Sequence, residues 1–117
     1  MSKYPFLERL RFAGNGLRSA FRSERNIHIQ LTLGSGAIAL LFYFRPEPIW
    51  WGLFTLIIGA VLAAEVFNTA IERLADALHP AQHPLVGMAK DCAAAAVLIL
   101  SVASLFILAA FLVHVTR

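Results

Sequence analysis

The sequence predicts an all-α membrane protein, an N-terminal amphipathic surface helix followed by three transmembrane helices. Three observations carry the prediction. Hydrophobic residues make up 59% of the 117 and charged residues only 15%, with a mean hydropathy of +0.71, unlike an average soluble domain. Three stretches, 27–44, 49–64 and 92–116, lack Asp, Glu, Lys and Arg. Crossing the hydrocarbon core takes about 20 residues, so the third suffices alone and the first two need their flanking turns. Finally, Lys and Arg are placed asymmetrically, as they are around spans inserted with one orientation.

The elements follow in order within a single domain, 1–117. In 1–26, Phe6, Leu10, Ala13, Leu17 and Phe21 recur at three- and four-residue intervals with basic residues largely elsewhere, the pattern of a helix lying on a membrane surface. Gly14 and Gly16 predict a bend in its middle. No small-residue cleavage pattern follows the first apolar run, so this is not read as a secretory signal. The first span, 27–44, contains His28 and Gln30. Arg45, Pro46, Glu47 and Pro48 form a loop, and Trp50 and Trp51 suit an interfacial aromatic belt. The second helix runs 49–78, apolar in its first half and polar in its second. Residues 79–87, with Pro80, Pro84 and Gly87, read as a turn-rich linker. The last helix, 91–116, begins beside the run Ala93 to Ala96, whose small residues favour close helix contact. The single cysteine, Cys92, excludes an intrachain disulfide and reads as a small packing residue.

Charge orients the bundle. Lys3, Arg9, Arg11, Arg18, Arg22 and Arg25 precede or open the first span, and Arg73 and Lys90 lie between the second and third. The first connection carries only Arg45 and the C-terminus only Arg117. The positive-inside rule therefore places the N-terminus and the 65–91 region in the cytoplasm, with the C-terminus outside. A basic pI near 9.6 does not indicate nucleic acid here, because the excess is juxtamembrane and no recognition motif accompanies it.

The chemistry concentrates in A-E-V-F-N-T-A-I-E-R-L-A-D, residues 64–76. On a continuous helix Glu65, Glu72 and Asp76 lie within about 40° of one another, and Asn68 and Thr69 flank the stripe. Carboxylates on one face beside an apolar span repel each other and resist desolvation. The arrangement makes sense around a cation, most simply a metal ion. Two further polar groups stand close in sequence to membrane segments. Lys90 and Asp91 fit a nucleotide site, ammonium to phosphate and carboxylate to a nucleotide donor; the plainer reading is a snorkelling anchor and a helix cap. Glu24, at the foot of the first span, reads by itself as a solvated charge among arginines.

No G-x-x-x-x-G-K-[ST] loop occurs, and the protein-kinase signature set is also absent. Two other readings of the acidic stripe are a small proton-coupled transporter using Glu65 and a non-catalytic membrane adaptor. Clustering at one membrane face counts against transport, and an adaptor leaves the carboxylates unexplained.

E-V-F-N-T-A-I-E-R-L-A-D, followed after a short loop by H-P-L-V-G-M-A-K-D-C-A-A-A-A-V-L, closely resembles the prokaryotic diacylglycerol kinase and undecaprenol kinase family of small integral-membrane lipid kinases. The resemblance extends over nearly the whole chain. It implies a homotrimer in the bacterial cytoplasmic membrane, with composite sites between neighbouring subunits. The implied reaction passes the γ-phosphate of ATP, with Mg2+, to the hydroxyl of diacylglycerol or undecaprenol. By position, Glu65 resembles the general base, and Glu24 and Glu72 resemble the metal ligands. Asn68 and Asp76 resemble site-organising residues, Lys90 and Asp91 nucleotide contacts, and His83 and Gly87 the linker's nucleotide contacts. Glu24 to Asn26 (E-R-N) and H-P-L before the lysine are more similar to the undecaprenol kinase branch. Physical chemistry is consistent with those roles: phosphoryl transfer needs mainly positioning and charge neutralisation, and an alcohol needs a base.

Overall fold

Proline and polar caps set where the helices begin and end. The computed structural model describes residues 3–117 and contains four helices: α1 (Phe6–Ser23), α2 (Arg25–Phe44), α3 (Pro48–Leu78) and α4 (Pro84–Thr116). Pro48 and Pro84 occupy the first turns of α3 and α4, where a missing N–H costs nothing and the fixed φ suits the helix. The His83 imidazole accepts a hydrogen bond from Leu85 N at 3.1 Å and caps α4. At the end of α2, Arg45 takes a left-handed conformation (φ 46°), its N–H donating to the Leu41 carbonyl at 2.8 Å, and Pro46 prevents continuation. A single extended residue, Glu24 (φ −112°, ψ 114°), joins α1 to α2.

α2, α3 and α4 are each long and apolar enough to cross a membrane. At 31 and 33 residues, α3 and α4 are longer than the roughly 20 that a bilayer requires. They pack antiparallel along their length. Asp76 and Lys90 meet at one end, at 2.5 Å. At the other, His114 lies 3.3 Å from Glu47, its ring tilted 33° against that of Trp50. Between these ends, buried Leu41, Phe54 and Phe111 form a small core with Trp50 and Trp51 packed around it. Phe111 meets Phe44, Trp50 and Phe54 through edge-on ring contacts. α2 approaches α3 closely at Gly34, where an added Cβ would sit 3.4 Å from Ile58. Outward-facing residues such as Leu56, Leu98, Ile99 and Phe106 remain exposed, an apolar exterior that suits lipid or other membrane helices.

The structure revises the sequence reading at three places. α1 runs unbroken through Gly14 and Gly16, because two glycines cost only about 1 kcal/mol each and neither meets a constraint. It ends at Ser23, and α2 already begins at Arg25. The linker is confined to residues 79–83: Pro84 starts a helix instead of breaking one, and Gly87 lies inside α4. Lys90 and Asp91 therefore sit in the second turn of α4, and the cap is His83 rather than Asp91.

Candidate functional site

The polar half of α3 is organised around Glu65. Its apolar first half delivers Glu65 to the α2–α3 contact, where the residue is only 3% exposed, together with Thr69, one turn on. The Thr69 Oγ1 hydroxyl donates to the Glu65 carbonyl at 3.0 Å and so is occupied on its own helix. The amide of Gln30, from α2, is near enough to hydrogen-bond to the Glu65 carboxylate, and Glu24 and Glu72 are near enough to act on its charge. Glu24, from the α1–α2 corner, and Glu72, two turns further along α3, are thus within electrostatic reach of Glu65. Asn68 lies beside them, its Oδ1 buried and without a hydrogen-bond partner. An orphaned buried acceptor is costly, and its position beside the acidic group marks a place for an incoming donor.

Asp76 belongs to a different environment from Glu65 and Glu72, although the three share a helical stripe. It is exposed and bonded to Lys90 of α4. Next to that pair, His79, Gln82, His83, Val86, Gly87 and Lys90 line a hollow of about 560 Å³. The imidazoles of His79 and His83 lie 5.0 Å apart. His83, Gly87 and Lys90 are therefore brought together at one hollow. Asp91 is exposed and does not line it.

A second, apolar hollow of about 430 Å³ lies among α2, α3 and α4. Gln30 and Leu62 mark its end nearest Glu65, and Phe54 and Leu40 lie toward the other end. Gln30 thus borders both the carboxylates and this hollow. The sequence offered a cue to it, an amide inside an otherwise apolar span. No comparable cue existed for Arg73, whose guanidinium donates to Ser19 Oγ (2.6 Å) and to the Ser19 carbonyl (3.3 Å) of α1.

Among the described residues no group of three His, Cys, Asp or Glu side chains is placed to hold a metal ion by itself. Magnesium commonly takes one or two protein carboxylates and fills its shell with phosphate oxygens and water. Glu24 and Glu72, within electrostatic reach of Glu65, have the chemistry for such a shared shell, and no protein-enclosed site is formed among the described residues.

Residues 11–112 match the family described as prokaryotic diacylglycerol kinase. The chain belongs to the prokaryotic diacylglycerol kinase family. It is 35% identical to the undecaprenol kinase of Bacillus subtilis over 81% of this chain and 77% of that protein. It is 33% identical to the diacylglycerol kinase of Synechocystis over 83% of this chain and 56% of that longer protein. With the diacylglycerol kinase of Haemophilus influenzae it shares 32% identity over 76% of this chain and 75% of the relative. No solved structure matches it. As a prokaryotic diacylglycerol kinase family member with three membrane-crossing helices, it is a membrane phosphotransferase with an alcohol acceptor. Transport and adaptor readings of the acidic stripe lose their basis.

Proposed function

We propose that this family member transfers the γ-phosphate of ATP to the hydroxyl of a bilayer lipid, diacylglycerol or undecaprenol, giving phosphatidic acid or undecaprenyl phosphate. One observation carries the reading: a carboxylate buried at the edge of an apolar span, Glu65, with two further carboxylates, Glu24 and Glu72, within electrostatic reach. Glu65 accepts the proton of the lipid hydroxyl as that oxygen attacks the γ-phosphorus. The bond from phosphorus to the bridging oxygen breaks, and ADP leaves. Gln30 lies within reach of the Glu65 carboxylate, and Asn68 offers its free acceptor to a donor on a substrate. Glu24 and Glu72 would hold Mg2+, which supplies charge neutralisation on the phosphates. Lys90 exchanges Asp76 for phosphate, while His83 and Gly87 border the nucleotide and Asp91 contributes from the exposed face of α4. The apolar hollow beyond Gln30 and Leu62 gives the acceptor's hydrocarbon a path into the span.

In this reading the N-terminus and the α3–α4 turn face the cytoplasm, α1 lies on the inner surface of the cytoplasmic membrane, and the chain works as a homotrimer. The charge asymmetry supports the orientation, and the family resemblance supports the trimer.

The test uses purified protein in mixed micelles with labelled ATP. Glu65→Gln keeps the shape but not the basicity, and is expected to slow transfer about 100-fold or more, the usual contribution of a general base. Near wild-type turnover overturns the assignment. Glu72→Gln is expected to raise the magnesium concentration needed for half-maximal rate. Offering diacylglycerol and undecaprenol separately identifies the acceptor.

A further inference from the structure

We infer that Arg73 is a positioning residue that sets Glu24 into the site, by clamping the end of α1 to the helix that carries Glu65 and Glu72. The inference rests on the reading of Glu24 as part of the magnesium–nucleotide site.

Glu24 is the one residue between α1 and α2. Its two backbone torsions set the angle between those helices and also the direction of its own side chain. A joint of one residue has little stiffness of its own, so α1 must be held from elsewhere. The last turn of a helix presents carbonyls that lack intrahelical partners, and positive groups are favoured there. In α1 the Ala20 carbonyl is taken by Glu24 N at 3.0 Å. The next, Phe21, accepts from His28 Nε2–H of α2 at 2.7 Å, with the two rings in edge-on contact. One residue before Ala20, the Ser19 carbonyl, already within the helix's own ladder, also accepts from Ser23 Oγ at 2.9 Å and from Arg73 at 3.3 Å, and Arg73 donates to Ser19 Oγ at 2.6 Å. Buried Ala20 and Ile27 pack on either side of the corner.

His28 therefore fastens α1 to α2, and Arg73 fastens it to α3. Arg73 immediately follows Glu72 and lies about two turns beyond Glu65 on the same helix. Its bonds join the flexible corner to the rigid element that holds the other carboxylates. Although exposed, Arg73 spends two of its donors on one residue of another helix. Arg73 touches none of the reacting groups; it acts through Glu24.

The test measures magnesium dependence in full-length protein at saturating acceptor, using whichever of diacylglycerol and undecaprenol is phosphorylated. Arg73→Gln is expected to raise the half-maximal magnesium concentration about threefold, the scale of a lost solvent-exposed charged contact, with the acceptor KM unchanged. Arg73→Lys restores part of the shift. In a Glu24→Gln background, Arg73→Gln adds no further shift, because both changes act through one group. Independently of activity, trypsin cuts after Arg22 and Arg25 faster in Arg73→Gln than in wild type. Ser19→Ala, which removes one acceptor and preserves the helix, shifts the magnesium requirement the same way by a smaller factor, and decides the matter if Arg73→Gln does not fold. An unchanged magnesium requirement in Arg73→Gln, or full additivity with Glu24→Gln, overturns the clamp. If Glu24→Gln alone leaves the requirement unchanged, Glu24 is outside the site, and the clamp falls with it.

Discussion

At the scale of single residues, Asn68 separates stability from function most sharply. Its Oδ1 is buried with no partner, and an unmade buried bond costs about 1–3 kcal/mol. A side chain optimised for folding alone would be apolar at this position. Asn68→Leu removes the orphan acceptor and keeps the branching of the side chain at a partly buried position, so the thermal midpoint in detergent is expected to stay level or rise. The same change is expected to reduce phosphoryl transfer at least tenfold, because a polar contact to substrate is lost. Circular-dichroism melting beside a transfer assay checks both halves; a clear fall in midpoint would mean that Asn68 serves the fold. The stripe that contains Asn68 was legible in the sequence, since helical periodicity alone places Glu65, Glu72 and Asn68 near one face. Burial was not legible, for it depends on what α2 brings opposite. Periodicity also could not show that Asp76, on the same stripe, escapes into solvent and pairs with Lys90.

At the scale of elements, the α3–α4 pair shows where local signals mislead. Pro84 and Gly87 read as breakers because turns favour both residues. Proline in the first turn of a helix is a start signal, and one interior glycine is a small penalty in a helix of 33 residues. Lys90 consequently sits on the wall of the loop hollow instead of at a helix start. Its bond to Asp76 contributes little to folding, since both side chains are substantially exposed (35% and 65%) and such pairs are worth about 0–1 kcal/mol. Lys90→Met is therefore expected to leave the unfolding midpoint nearly unchanged while raising the KM for ATP several-fold. Asp76→Asn releases Lys90 from its partner, so a nucleotide KM that moves much less than in Lys90→Met is the matching result. A KM for ATP that stays at the wild-type value in Lys90→Met would remove the ammonium from the nucleotide site.

At the scale of the whole molecule, the three spans were legible from composition because lipid selects for apolar side chains regardless of partner. What covers the exposed faces of α2, α3 and α4 was not, because composition counts apolar residues without naming their neighbours. The lengths of α3 and α4 carry a stronger consequence. Each is longer than a bilayer requires, and the Asp76–Lys90 contact places the two polar ends on the same side. The proposed chemistry needs that side to be the cytoplasm, where ATP is, and the basic residues of α1 argue for the same orientation. Gln82, exposed in the turn between α3 and α4, offers a direct check. A Gln82→Cys protein carrying Cys92→Ala presents one thiol, at the turn. A membrane-impermeant maleimide is expected to label it in inverted inner-membrane vesicles and to leave it unlabelled in intact, right-side-out preparations until detergent is added. Labelling from outside would put the carboxylates in a compartment without ATP, and the kinase site would then have to be sought near Glu47 and His114, at the opposite end of the bundle.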